Sequence, residues 1–223
     1  MKAAAERRAK RILIVDDHPM MRQGLAQLVE HEPDLEVCSE ADTAAQALNL
    51  IAARKPDLVL VDISLPDKNG LELIKDIAVF HPDLPVLVFS MHDEELFAER
   101  VLRAGGRGYM MKQEGGKKLM DAIRQVLSGR IYVSERISAR ILESYSGRKN
   151  PVGSSGLEVL TDREFEVFQM IAQGQGTKEI AAHLHLSGKT IEVHRANMRK
   201  KLQLKSGAEL VRYAIRWLET RGQ

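Results

Sequence analysis

The chain has one cysteine in 223 residues, so an internal disulfide is excluded. That residue, Cys38, lies in a candidate strand from Leu35 to Glu40, where packing is its expected role. Long apolar runs are missing as well. The longest fall far short of the roughly 20 residues a membrane span requires, and the basic start from Met1 to Arg11 lacks the apolar segment of a signal peptide. A soluble cytoplasmic protein with no membrane partner is expected. Glycine-rich phosphate loops of the Walker or dinucleotide type are absent, because Gly105-Gly106-Arg107-Gly108 fits neither spacing. ATP or NAD use therefore has no support. Nor is charge of one sign in large excess, the formal net charge being +2.

What the chain does have is 44% hydrophobic residues, enough at this length for more than one core. In its first half four apolar runs each end in a residue able to handle a phosphoryl group. Ile12-Leu13-Ile14-Val15 precedes Asp16-Asp17, Leu58-Val59-Leu60-Val61 precedes Asp62, Val86-Leu87-Val88-Phe89 precedes Ser90, and Tyr109-Met110-Met111 precedes Lys112. Strand-like runs alternate with helix-patterned segments up to about Arg130, which predicts a doubly wound parallel α/β sheet with helices on both faces. In such a sheet the ligand crevice lies at the carboxyl ends of the strands. Three carboxylates, a hydroxyl and an ammonium would converge there.

Carboxylates gathered without cysteine or histidine partners favour a hard cation, and Mg²⁺ bridges carboxylates to phosphate. Asp62 then reads as a nucleophile that accepts a phosphoryl group, with Asp16 and Asp17 holding the metal. Lys112 supplies a compact positive charge to the phosphoryl oxygens. Ser90 is expected to donate a hydrogen bond that exists only after phosphorylation. Helix-capping or strand-ending roles would account for any single acid, but not for all four strand ends together.

The alternation stops after Glu143. Ser144-Tyr145-Ser146-Gly147-Arg148-Lys149-Asn150-Pro151-Val152-Gly153-Ser154-Ser155-Gly156 has the composition of a connector. Beyond it the chain reads as helices only, with Thr161-Asp162-Arg163-Glu164 and Ser206-Gly207-Ala208-Glu209 both fitting the capping box. Residues 151–223 hold 11 Lys/Arg and 8 Asp/Glu, which is +3 there and, from a total of +2, −1 for residues 1–150. Six basic residues and one acid between Lys189 and Lys205 suit a polyanion. A helix from Thr177 to Leu184, a turn at His185-Leu186 and a Ser187-capped helix to about Leu202 make a helix-turn-helix. On the second of these, Ile191, Met198 and Leu202 share a packing face. Lys189, Val193, Ala196 and Lys200 project from the other side, flanked by Glu192, Asn197 and Arg199. Phosphate-binding charges beside short apolar groups fit a major groove.

Asp16-Asp17, Asp62, Ser90 and Lys112, with Leu65-Pro66-Asp67-Lys68-Asn69-Gly70 after the central acid, resemble a two-component receiver domain over roughly residues 10–130. The resemblance implies a flavodoxin-like five-stranded sheet of order 2-1-3-4-5, with Asp62 as phosphoacceptor and a sensor histidine kinase as donor. It also implies that Asp16, Asp17 and Asp62 hold Mg²⁺ with the backbone carbonyl of the residue after Asp62. Tyr109 falls at the family's aromatic switch, which turns inward once the hydroxyl residue moves toward the phosphate. Leu160-Thr161-Asp162-Arg163-Glu164, Lys178-Glu179-Ile180-Ala181, Leu184, Ser187, Lys189-Thr190-Ile191, His194 and Lys201-Leu202 resemble the LuxR/NarL-type helix-turn-helix over residues 157–221. That family implies base-facing positions for Glu192, Val193 and Ala196. Lys189, Thr190, His194, Asn197 and Lys201 fall near the DNA backbone.

The expected organisation is a receiver at 10–130, a helical and flexible linker at 131–156 and a DNA-binding domain at 157–221. The expected function is a phosphorelay transcription factor of the response-regulator type, not an enzyme beyond slow hydrolysis of its own aspartyl phosphate. Its expected partners are the kinase, double-stranded operators, a second copy through the last helix, and RNA polymerase. A phosphatase acting on external substrates lacks a recognisable leaving-group acid or base. Phosphorylation-independent DNA binding is the alternative from another class.

Overall fold

The computed structural model describes residues 8–145, 156–184 and 186–220. The connector from Ser146 to Ser155, and His185 in the expected turn, lie outside the described residues. The chain divides into two compact units, Met1–Leu142 and Glu143–Gln223.

In the first unit five parallel strands, β1 (Lys10–Val15), β2 (Leu35–Ala41), β3 (Leu58–Val61), β4 (Val86–Ser90) and β5 (Gly108–Met111), form one sheet. Their order is β2-β1-β3-β4-β5, as expected from the sequence. Every residue of β3 and β4 is buried, which explains why these strands read as unbroken apolar runs rather than alternations. The helices are α1 (Pro19–Glu30), α2 (Ala44–Arg54), α3 (Gly70–Phe80), α4 (Glu94–Arg103) and α5 (Gly116–Leu127). Leu25 and Val29 of α1 join Leu119, Met120, Ile123 and Val126 of α5 over Ile12, Ile14, Leu60 and Leu87, which builds the core of one sheet face. Cys38 sits where the β1–β2 register slips, since Ile12 pairs with Val37 and Leu13 with Ser39. Burial pushes its thiol pKa up, so it is a packing residue with little thiolate character.

The edge of β5 is covered by the chain that follows α5. The Tyr109 amide donates to the Tyr132 carbonyl at 2.8 Å and the Tyr132 amide to the Arg107 carbonyl at 3.0 Å, which removes a strand edge open to pairing. Next comes α6 (Glu135–Tyr145), whose first turns pack on α4. Ile137 is fully buried. Ser134 Oγ donates to Glu94 at 2.8 Å, Arg140 Nε to Glu99 at 3.1 Å, and Arg136 pairs with Glu95. Residues 132–142, inside the segment read from sequence as linker, thus belong to the first compact unit.

The second unit holds α7 (Asp162–Ala172), α8 (Thr177–His183), α9 (Gly188–Lys201) and α10 (Gly207–Glu219). Phe165, Phe168, Ile171, Ile180, Ile191, Met198, Leu210 and Ala214 are buried between them. Trp217 stands edge-on to Phe165 and Phe168, with ring centroids 6.1 and 5.3 Å apart, so it is core as its stripe suggests. Thr161 and Glu164 form the expected capping box. At the start of α10 the box is incomplete: Ser206 Oγ accepts the Glu209 amide at 3.2 Å, but Glu209 Oε2 reaches the Lys205 amide instead, at 2.7 Å. Among the described residues no helix is long and apolar enough to cross a membrane.

Candidate functional site

The strand ends of the first unit deliver one acidic pocket. Asp62 follows β3 and is 5% exposed, and its amide donates to the Val15 carbonyl at 2.8 Å. Ser90 Oγ donates to Asp62 Oδ1 at 2.8 Å, while Lys112 Nζ lies 2.7 Å from Asp62 Oδ2 and 2.6 Å from Asp16 Oδ2. The Ser90 bond seen here goes to the Asp62 carboxylate itself, a different bond from the one expected to a phosphoryl oxygen. A buried hydroxyl needs a partner, and Asp62 is the acceptor beside it. Burial alone would pull the Lys112 ammonium pKa down, but Asp62 and Asp16 raise it above its ordinary value. Lys112 stays charged and offsets the cost of burying two carboxylates.

Asp16 Oδ1 accepts the His18 amide at 2.8 Å. Asp17 Oδ1 is buried and has no hydrogen-bond partner, although His18 Nδ1 lies 2.7 Å away. One ligand atom from each of Asp16, Asp17, His18 and Asp62 lies within 4.8 Å of the others. A cluster of carboxylate oxygens of this kind, the Asp17 oxygen being met only by a histidine nitrogen, fits a divalent cation such as Mg²⁺. The Ile63 carbonyl, which the sequence resemblance offers as a further ligand, accepts the Gly70 amide at 2.8 Å. His18 lies outside the sequence expectation, and only its place directly after Asp16-Asp17 could have signalled it.

The loop after Asp62 has definite work. Asp67 Oδ1 and Oδ2 accept the Ala44 and Ala45 amides, each at 2.9 Å, so it caps α2 from across the loop. Asn69 Oδ1 accepts the Leu71 amide at 2.9 Å and starts α3. A Cβ on Gly70 would stand 2.4 Å from the Asp62 carbonyl oxygen and 2.8 Å from Ile63 Cα, so only glycine allows α3 to begin this close to Asp62. Tyr109 is 1% exposed and its hydroxyl donates to the His92 carbonyl at 2.7 Å. The ring of Tyr109 thus lies inward, against the sheet. Burial, the largest cause, drives its pKa far above that of a free tyrosine. Ser64 Oγ and His92 Nε2, 3.0 Å apart, bridge the Asp62 and Ser90 loops, a contact with no sequence signal because neither residue belongs to an apolar run.

In the second unit, Lys189, Glu192, Val193, Ala196, Asn197 and Lys200 form one exposed stripe along α9, opposite buried Ile191 and Met198. Thr190 Oγ1 is 2.8 Å from Ser187 Oγ at the helix cap, and His194 is half-buried. Lys201 differs from the stripe, because its ammonium is 2.6 Å from Glu164 Oε2 inside the domain. Burial alone would raise the Glu164 pKa, yet the bonds from Lys201 and Thr161 hold it below the usual carboxylate value.

Two family models match these two units. Residues 12–124 match the response regulator receiver domain, and residues 158–214 match the LuxR family of bacterial regulatory proteins. The chain is a LuxR-type response regulator. Among its relatives, oxygen regulatory protein NreC of Staphylococcus aureus is 35% identical over 210 residues, spanning 92% of this response regulator and 97% of NreC. A LuxR-family response regulator from Aurantimonas is 35% identical with a TM-score of 0.58, over 62% of this chain and 99% of that one. RcsB of Salmonella enterica serovar Typhimurium, solved bound to promoter rprA with the phosphomimetic BeF3⁻, is 25% identical with a TM-score of 0.62, over 92% and 98%.

Proposed function

We propose that this response regulator takes a phosphoryl group on Asp62 from a sensor histidine kinase and, so modified, binds double-stranded operators as a dimer to control transcription. The observation that carries this reading is the Asp62 carboxylate, buried and held between Ser90 and Lys112 within the cluster it forms with Asp16 and Asp17. Asp62 Oδ attacks phosphorus, the bond from phosphorus to the donor histidine nitrogen breaks, and that nitrogen keeps the electron pair. Asp16, Asp17 and Asp62 would hold Mg²⁺, which would supply charge neutralisation there. Lys112 then turns from the carboxylates to the phosphoryl oxygens, and Ser90 Oγ transfers its hydrogen bond to one of them. The phosphoryl group thus replaces one partner set by another, and Tyr109 and α4, linked to Ser90 through His92, adjust. The aspartyl phosphate hydrolyses slowly afterwards.

On the DNA side, Glu192, Val193 and Ala196 face bases, while Lys189, Thr190, His194, Asn197 and Lys200 approach the phosphates. Lys201 lies beside them with its charge directed to Glu164. Ile215 and Leu218 of α10, 39% and 42% exposed, are apolar groups suited to the dimer contact that sets half-site spacing. The RcsB complex with promoter DNA and a phosphomimetic supports the coupling of the two sites by likeness. RNA polymerase is the expected further partner.

The test is intact mass after incubation with a small-molecule phosphodonor and Mg²⁺, with DNA affinity followed in the same samples. One Mg²⁺-dependent phosphoryl adduct is expected in the native chain, with tighter DNA binding, and none in Asp62→Asn. An adduct that persists in the variant rejects Asp62. DNA binding indifferent to the donor would instead favour phosphorylation-independent regulation.

A further inference from the structure

The exposed stripe of α9 contains a group that phosphate binding does not need. Glu192 is the acid among Lys189, Arg195, Arg199, Lys200 and Lys201, its side chain is 61% exposed, and a carboxylate against DNA phosphates is repulsive unless a donor meets it. It is also anchored. Thr177 Oγ1, from the first residue of α8, donates to Glu192 Oε1 at 2.7 Å, and Arg195 Nε lies 3.7 Å from the same oxygen. Both partners converge on Oε1, and Oε2 has none among the described residues. The Thr177 methyl faces Gly188, 3.9 Å from where a Cβ would stand, so the packing of α8 on α9 fixes the hydroxyl.

We propose that Glu192 selects a cytosine in the operator, with Thr177 as the residue that positions it; this rests on the reading of α9 as the DNA-binding helix. In the major groove guanine offers the acceptors N7 and O6, and thymine the acceptor O4 with a methyl group. Adenine offers the N6 donor with the N7 acceptor beside it, so a carboxylate there gains one bond and meets one lone pair. Cytosine offers the N4 donor alone. Anchoring Oε1 leaves Oε2 to accept from N4, and it restricts a flexible side chain before binding, which lowers the entropy lost in the complex. Val193 and Ala196, adjacent on the stripe, add no competing polar group and suit a neighbouring thymine methyl.

Selection of binding sites from a randomised duplex library tests this, using the full phosphodonor-treated chain and Glu192→Ala, Thr177→Val and Thr177→Ser. The native chain should enrich sites with one C·G pair whose replacement lowers affinity on the order of tenfold. Glu192→Ala should lose the preference at that position alone. Thr177→Val should weaken it and Thr177→Ser retain it, with the salt dependence of binding unchanged in both, which separates base choice from damage to the fold. A cytosine preference that survives Glu192→Ala, or an adenine at the Glu192-dependent position, overturns the assignment to cytosine and leaves the DNA reading intact. A Thr177→Val profile identical to the native one overturns the positioning role. If the native chain enriches no sequence at all, the DNA reading fails with it.

Discussion

Gly70 and Lys201 show how much a single residue's surroundings decide. The Gly70 Cα hydrogen points at the Asp62 and Ile63 backbone, with no room for a methyl group. Gly70→Ala should therefore displace Asp62, cost about 1–3 kcal/mol of stability and slow phosphoryl transfer; urea unfolding and the rate of adduct formation check both. Lys200 and Lys201 are neighbours in sequence with opposite expectations. Lys200→Ala should lower the slope of log affinity against log salt by about one unit. Lys201→Met should leave that slope nearly unchanged and weaken the domain by about 1–3 kcal/mol, because Glu164 loses its charged donor. Salt titrations and thermal unfolding of the two variants separate them. The sequence places both lysines near DNA; only the packing of α9 on α7 shows that Lys201 pairs with Glu164.

At the scale of elements, the strands and helices were legible because each carries a matching period and a stop. The acidic pocket was legible for the same reason, since its residues stand where apolar runs end. Harder to read was α6, whose amphipathic pattern does not say what it covers. Its Arg136 and Arg140 pair with Glu95 and Glu99 of α4, and its Ile137 is fully buried. Ile137→Ala in the full chain should destabilise the first unit by about 2–4 kcal/mol, read by denaturant unfolding, whereas an exposed linker residue would cost almost nothing. The loop pair Ser64–His92 was invisible too, because it joins positions 28 residues apart with no period between them.

For the whole molecule, pH gives an independent check on the second unit. Glu164 has its pKa lowered by Lys201 and Thr161 despite burial. The sign follows: its stabilising contribution is present above the unfolded value, about 4.3, and is lost as pH falls through the lower folded value. Acid unfolding of the DNA-binding unit should thus steepen below about pH 4 in the native chain and flatten there in Glu164→Gln, followed by circular dichroism. Lys112 behaves oppositely. Its raised pKa contributes stability below about pH 10.4 that is lost as pH rises through the folded value, so Lys112 keeps its charge throughout the neutral range. The sequence by itself determined the two-part organisation and the alternation of strands and helices, and its strand ends singled out Asp62 as the candidate acceptor, because periodicity and strand-end chemistry are local properties; the strand order came from the resemblance to receiver domains. Tertiary structure decided that Ser90 and Lys112 hold Asp62, that Lys201 pairs with Glu164 and that Thr177 orients Glu192. Those are contacts between side chains far apart in the chain, and they depend on distances of a few ångströms that only packing sets.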